Sequence, residues 1–505
     1  MSVIVGLDIG TTGARALAVD ESGMVLAAAS DEYPLYSPRP GWTEQHPEDW
    51  WQAARNVLAA VADAVPGQVA SLGITGQMHG AVFLDSEDRV IRPALLWNDQ
   101  RTSAQCIEIT DRVGRNSLMA IAGNPALTGF QAPKLLWLRD AEPANYKRLA
   151  HVLLPKDYIR LRLTGEFATD ASDASGTLLL DLRRRNWSAE ILDALEVPRE
   201  WLPPVLEGTE AAGRLRADVS SELGLPAGIP IAAGGGDNAA AAVGSGIVDL
   251  GLASSSIGTS GVVFAHTPEL VADPSGRLHA FCHAVPGAYH LMGVTLSAGG
   301  SLRWWRHILG ERYSYEALME LAASAPVGSE GLLFLPYLTG ERTPHSDPLA
   351  RGAFFGLTAR HSTAHLTRAV LEGVAYSLHD CLEIMTGLGI GVAEVRAIGG
   401  GARSDLWRQI QADVFGVAVR RTAVDEGPAY GAALLAGVAA GQFRNVEEAC
   451  SVIRLRPEVA EPEPSRAQLY RHYRGAYREL YPATAELMGR LGELAIDYQG
   501  TEPEV

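Results

Sequence analysis

The sequence predicts an α/β protein built from two related halves, and three observations carry that prediction. Strand-like apolar runs alternate with helical patterns from start to finish. At 505 residues the chain is too long for a single hydrophobic core. One glycine-hydroxyl turn also occurs twice. Residues 3–7 lead into Asp8-Ile9-Gly10-Thr11-Thr12-Gly13, and Ser256-Ile257-Gly258-Thr259-Ser260-Gly261 repeats the spacing ahead of Val262-Val263-Phe264. Glycine lets backbone turn tightly and approach a ligand closely. Hydroxyls and free amides of such a turn can hold phosphate oxygens. Two copies suggest two halves gripping one nucleotide. Asp8 has no counterpart in the second copy, where Ser256 stands, so the first turn also serves a metal ion or a reacting phosphate.

The elements follow in order. Strands are expected over 3–8, 14–20 and 24–29, with a turn at Glu21-Ser22-Gly23. A helix starts near His46-Pro47-Glu48, where proline suits the first helical position, and carries Trp50, Trp51, Ala54 and Val57 on one face. A strand over 69–74 ends in Thr75-Gly76-Gln77-Met78-His79-Gly80, and strands over 81–84 and 94–97 follow. Residues 100–225 are mixed and more helical. A buried strand over 229–233 breaks at Gly234-Gly235-Gly236-Asp237-Asn238 and gives way to a helical run over 239–243. The boundary falls within 244–251, giving halves of 1–247 and 248–505. The second half repeats the logic: a strand over 261–264, a helix over 367–378, and a strand over 395–398 ending in Gly399-Gly400-Gly401-Ala402-Arg403-Ser404. That last turn corresponds to residues 75–80, which reads as a duplication. After Pro457 a capping helix and a frayed tail over 500–505 are expected.

The net charge of −17 disfavours nucleic acid or an anionic membrane as partner, while a small anion can still be bound by backbone amides. Cys106, Cys282, Cys381 and Cys450 are scattered, which fits a reducing cytoplasm rather than a disulfide framework or zinc cluster. No apolar stretch reaches the roughly 18 residues of a membrane span, and no basic leader precedes the first strand, so none is expected.

The loops carry the chemistry. Asp237 follows three glycines at a strand C-terminus, where open α/β sheets bind ligands. It can act as general base or orienter for a substrate hydroxyl, and an N-cap is the alternative reading. His79, on the loop after a strand, reads on its own as a structural histidine. Trp97-Asn98-Asp99-Gln100-Arg101 combines an aromatic face with amide, acid and guanidinium, which suits a polyol, whereas Trp97 alone reads as core. Gly399–Gly401 suits a flat adenine or ribose, and Ser297-Ala298-Gly299-Gly300-Ser301 is a weaker version. Arg342, in the loop Gly340-Glu341-Arg342-Thr343-Pro344-His345, reads as an ion-pair residue rather than a catalytic one. No P-loop motif is present, nor the motif set of protein kinases.

Taken together, residues 8–13, 73–80, 97–101, Leu154-Pro155-Lys156-Asp157-Tyr158, 234–238, 256–261, 340–345 and 399–404 resemble the FGGY carbohydrate kinases over about residues 3 to 485. The resemblance implies two duplicated actin-like ATPase domains with a ribonuclease-H-like core, closing over a ligand cleft. The first domain would bind sugar. The second would bind nucleotide and carry a C-terminal helical cap. It implies ATP as cosubstrate, Mg²⁺, and phosphorylation of D-xylulose at its 5-hydroxyl in pentose catabolism, since Gly76-Gln77-Met78-His79-Gly80 resembles the branch acting on that ketose. By matching motifs, Asp237 is the catalytic base and Asp8 the acid near metal and moving phosphate. Met78 and His79 are sugar contacts with Trp97 and Asn238 beside them. Thr11, Thr12, Gly258, Thr259, Gly299, Gly400 and Gly401 are nucleotide contacts. Glycerol is disfavoured, because glycerol kinases carry Arg-Glu where Met78-His79 stand. A sister kinase for ribulose, gluconate or another polyol is the nearest alternative, and an actin-like ATPase or a sugar-sensing regulator lie further off. A homodimer is left open.

Overall fold

The computed structural model describes residues 2–499, and the tail expected over 500–505 lies outside the described residues. Contacts group the chain into two compact units. Unit 1 comprises Met1–Asp249, His266–Leu291 and Glu426–Arg454. Unit 2 comprises Leu250–Ala265, Met292–Asp425 and Leu455–Val505. The division expected between residues 247 and 248 therefore matches only the first crossing, and two later segments return to unit 1.

In unit 1 the strand Val3–Ile9 lies at the middle of a sheet. It pairs antiparallel with Gly13–Val19, which pairs antiparallel with Val25–Glu32. On its other side it runs parallel to Val69–Gly76, which is parallel to Pro230–Ala232 and to the short strand Gly235–Gly236. Side chains alternate across a strand. Val3, Val5, Leu7 and Ile9 share a core with Trp50, Ala54, Val57, Leu58 and Val61 of the helix Pro47–Ala64. Gly6 faces the other way, toward the helix Gly427–Ala439. A Cβ at Gly6 would stand 1.8 Å from the Ala429 carbonyl oxygen, and one at Gly73 would stand 1.9 Å from that of Ala432. This close approach explains why a segment so late in the chain belongs to unit 1. The same helix meets Asp237–Gly244, where a Cβ at Gly431 would come within 1.8 Å of the Ala240 carbonyl oxygen. The alanine-rich run after Asp237 is thus a helix packed backbone to backbone.

Unit 2 repeats the pairing pattern. The strand Gly251–Ile257 is antiparallel to Gly261–Thr267 and parallel to Val392–Ile398, which is parallel to Ala418–Arg421. Each glycine-hydroxyl turn is closed by its glycine N–H, but one residue apart in register: Gly10 N–H donates to the Gly13 carbonyl and Gly258 N–H to that of Ser260, each at 3.0 Å. The helix expected over 367–378 runs over Thr363–Gly387, started by a Ser362–His365 capping box. The C-terminal helix Pro464–Gln499 docks through buried Tyr470 and Tyr477. Tyr470 donates to Glu372 at 2.7 Å, and Tyr477 donates to the Tyr337 hydroxyl at 3.1 Å. No helix among the described residues is long and apolar enough to cross a membrane.

Candidate active site

Three parallel strands of unit 1 end level with one another. Ile9 pairs with Gly76, and Gly76 with Gly236. Asp8 sits one residue before that line and Asp237 one residue beyond it, so the sheet brings the two carboxylates to the same edge. Asp237 is the first residue of the helix Asp237–Gly244, after a cap at Gly236. It therefore does not serve as the N-cap. Its Oδ1 accepts from the Asn238 backbone N–H at 2.7 Å and from Asn238 Nδ2 at 2.9 Å. Burial pushes the Asp237 carboxyl up to about 6, against those two hydrogen bonds. The Asp8 carboxyl is pushed up to about 8, first by burial and then by the charge of Asp237, with Arg15 pulling the other way. Asp8 Oδ1 is buried and accepts no hydrogen bond.

The loop after Val69–Gly76 carries Met78 and His79. Met78 is buried against Gly236, where a Cβ would lie 2.8 Å from Met78 Cγ. His79 adopts φ 67°, a left-handed conformation unusual for a residue with a Cβ. Its Nδ1 lies 2.6 Å from the Gly176 carbonyl oxygen, and its ring meets Phe130 edge-on at 4.9 Å. Trp97 is 37% exposed, and its Nε1 donates to Thr11 Oγ1 at 3.0 Å. Thr11 is thereby tied to an expected sugar residue, while Thr12 on the same turn is exposed.

The Trp97–Arg101 cluster needs correction as a polyol site. Asp99 is fully buried and accepts from Thr43 N–H and from Arg101. Arg101 also pairs with Glu44 at 2.7 Å and lies 3.7 Å from the Trp42 ring centroid. These two charges build the scaffold and leave Trp97 and Asn98 at the surface of the cluster.

Sequence reasoning missed the support beneath Asp237. Lys156 and Arg160 are fully buried, and Lys156 Nζ lies 2.6 Å from Asp157, 2.8 Å from Asp170 and 3.4 Å from Asp173. Arg160 Nη2 donates to the Ala233 carbonyl at 2.8 Å. Ser172 Oγ donates to Asp170 and accepts from Gly236 N–H at 3.1 Å. The backbone on both sides of Gly234 and Gly235 is therefore held by a buried charged network. Asp173 is pushed well above the usual carboxylate range, chiefly by burial and also by neighbouring carboxylates that include Asp237. The one available signal was the run of charges itself, Lys156-Asp157 and Arg160, in the helix Pro155–Thr164.

In unit 2, Gly258, Thr259, Gly299, Gly400 and Gly401 line one cavity of about 450 Å³. Gly299 and Gly300 spend their amides on the Gly258 and Thr259 carbonyls, so what they offer a ligand is a bare surface rather than free N–H groups. Gly400 begins a short 3₁₀ turn, and a Cβ there would meet nothing closer than 4.0 Å. Residues not anticipated complete the wall: Arg303, Tyr315, Glu316, Met319 and Trp407. Elsewhere in unit 2 the buried Glu341 accepts from Thr295 Oγ1 at 2.6 Å and from Leu296 N–H at 2.9 Å.

Residues 3–244 match the model of the FGGY carbohydrate kinase N-terminal domain, and residues 253–440 that of the C-terminal domain. The chain belongs to the FGGY family of carbohydrate kinases. It is 45% identical over 486 residues to xylulose kinase of Escherichia coli, covering 96% of this chain and 99% of that one. Among solved structures, ligand-bound xylulose kinase from Lactobacillus acidophilus superposes with a TM-score of 0.93 at 28% identity, covering 97% of this chain and 100% of the other. Gluconate kinase from the same organism also gives 0.93 at 28% identity, covering 97% and 99%. The fold is thus the two-domain fold of this family, and fold similarity alone does not separate one sugar from another.

Proposed function

We propose that the protein is an ATP-dependent kinase that converts D-xylulose to D-xylulose 5-phosphate in the cytoplasm, with small molecules as its partners. The observation that carries this reading is the strand edge where Asp8 and Asp237 converge beside the Met78–His79 loop. The full-length identity to a xylulose kinase supports the choice of sugar, and gluconate, ribulose or another polyol is the second reading. Met78, His79, Trp97 and Asn238 hold the ketose. Asp237 takes the proton of the 5-hydroxyl as that oxygen bonds the γ-phosphorus of ATP and the bond to ADP breaks. A carboxyl near 6 is mostly ionised at neutral pH yet basic enough to accept a proton. Gly258, Thr259, Gly299, Gly400 and Gly401 form the nucleotide surface, with Tyr315, Met319 and Trp407 suited to a flat base, and Thr11 and Thr12 serve the phosphate end.

A buried carboxylate oxygen without a donor fits a cation, so Asp8 would hold Mg²⁺. Among the described residues no cluster of three or more metal-ligating side chains exists. That agrees with an ion bound by one or two carboxylates, water and substrate phosphates. When bound, the ion neutralises charge developing on the phosphates. An ADP-release assay over D-xylulose, D-ribulose, gluconate and glycerol tests the assignment. D-xylulose is expected to give the highest kcat/KM, and a higher value for any other member replaces it as the substrate.

A further inference from the structure

The strained loop of the proposed sugar pocket is gripped from below by one helix. The helix Gln131–Ala141 begins with two buried polar side chains three residues apart, Gln131 and Lys134, which share a face. Gln131 Nε2 donates to the Gly80 carbonyl at 2.8 Å and to that of Leu153 at 3.0 Å. Lys134 Nζ donates to the His79 carbonyl at 2.8 Å and to that of Gly129 at 2.5 Å. Two consecutive carbonyls of the loop are therefore fixed from one helix.

An ammonium without exposure to water is costly, and packing alone is satisfied as well or better by an apolar side chain. The hydrogen bonds of Lys134 go to carbonyl dipoles, not to carboxylates. Burial pushes its amine down to about 7, with Asp99 and Cys106 opposing and Arg101 adding to the fall. What it holds is the carbonyl of a residue in a left-handed conformation, and such a conformation persists only where its surroundings over-determine it. Gly129, its other partner, is pressed against the Trp97 segment: a Cβ there would stand 2.8 Å from the Trp97 carbonyl oxygen. Lys134 thus fastens the strand-end loop bearing Met78 and His79 to the segment bearing Trp97.

We propose that Lys134, assisted by Gln131, is the positioning residue of the sugar pocket, setting sugar affinity by holding the His79 backbone and joining its loop to the Trp97 segment. This rests on the sugar-site reading above. The test compares Lys134→Met, Lys134→Arg, Gln131→Leu and His79→Ala by steady-state kinetics with D-xylulose and ATP, alongside thermal melts. Lys134→Met should raise the KM for D-xylulose on the order of tenfold, the scale of a lost charge-assisted hydrogen bond, while the KM for ATP stays put. Gln131→Leu should act in the same direction, and Lys134→Arg should recover part of the loss. Sugar KM unchanged in folded Lys134→Met, or sugar and ATP affinity falling together, overturns the proposal. If Lys134→Met does not fold, Gln131→Leu is judged by the same criteria. An effect of His79→Ala without one from the helix variants overturns this inference alone. A wild type that phosphorylates no ketose overturns the functional reading and this inference with it.

Discussion

Replacing Asp237 by asparagine separates the chemistry of its carboxylate from its cost to the fold. Asparagine keeps an oxygen where Asp237 Oδ1 accepts from Asn238 N–H at 2.7 Å and from Asn238 Nδ2 at 2.9 Å, so the local geometry survives. The base is lost, and turnover should fall about 10²–10⁴-fold, or about 3–5 kcal/mol of transition-state stabilisation. Stability should move the other way. Burial raises the carboxyl from 3.8 to about 6. That shift of about two units corresponds to roughly 3 kcal/mol disfavouring the folded, ionised form. Because the folded value is the higher one, the cost is absent below about pH 4, grows between pH 4 and 6, and is complete above about pH 6. The asparagine side chain carries no charge at any pH. It should melt higher than wild type at about pH 8, on the order of 5 °C, and the gap should close toward about pH 4. Turnover and calorimetric melts across pH read both effects. Near-wild-type turnover removes Asp237 from the base role. A lower melting temperature at pH 8 refutes the argument that its ionised form is held at a cost.

Asp8→Ala should abolish transfer or shift the Mg²⁺ requirement to higher concentration, and an unchanged Mg²⁺ titration of activity would argue against a metal role for its buried Oδ1. His79→Ala should raise the KM for sugar more than that for ATP; equal loss of both contradicts its place in the sugar pocket. Gly400→Ala adds a methyl that meets nothing closer than 4.0 Å, so it should leave the melting temperature alone and raise the KM for ATP. An unaltered ATP KM would mean that nucleotide does not use this wall. Gly431→Ala drives a Cβ to within 1.8 Å of the Ala240 carbonyl oxygen and should destabilise unit 1 by about 3 kcal/mol or more, as overpacking does at its upper end; an unchanged thermal melt would disprove so close a helix contact.

The parts legible in the sequence were those with local signatures. The apolar runs, the proline at the start of Pro47–Ala64 and the twin glycine turns placed most of the first sheet and the candidate carboxylates, whereas the second sheet was read only at 261–264 and 395–398 and its strand Gly251–Ile257 was missed. Asp237 was found because three glycines bare it. The missed parts depend on partners distant in sequence. Lys156, Arg160, Asp170 and Asp173 meet only after folding, and so do Lys134 and the carbonyl of His79. Asp99 and Arg101 were misread for a related reason. A charged pair beside a tryptophan looks like a sugar site until Trp42 and Glu44 close around the guanidinium. Gly6 and Gly73 read as ordinary strand residues, since nothing nearby announces a helix that begins only at Gly427.

That late helix sets the order in which the protein can be made. Gly427–Ala439 lies against Gly6 and Gly73 with no room for even a methyl between them. While the chain emerges from the ribosome, the first sheet therefore stands with one face uncovered until residues 426–454 have been synthesised. Its Val3–Ile9 and Val69–Gly76 strands must wait in a partly assembled, aggregation-prone state through most of translation. Severing the chain at the boundary read from sequence would leave the first fragment permanently at that stage, so an expression strategy that splits the protein has to carry residues 266–291 and 426–454 with the N-terminal piece.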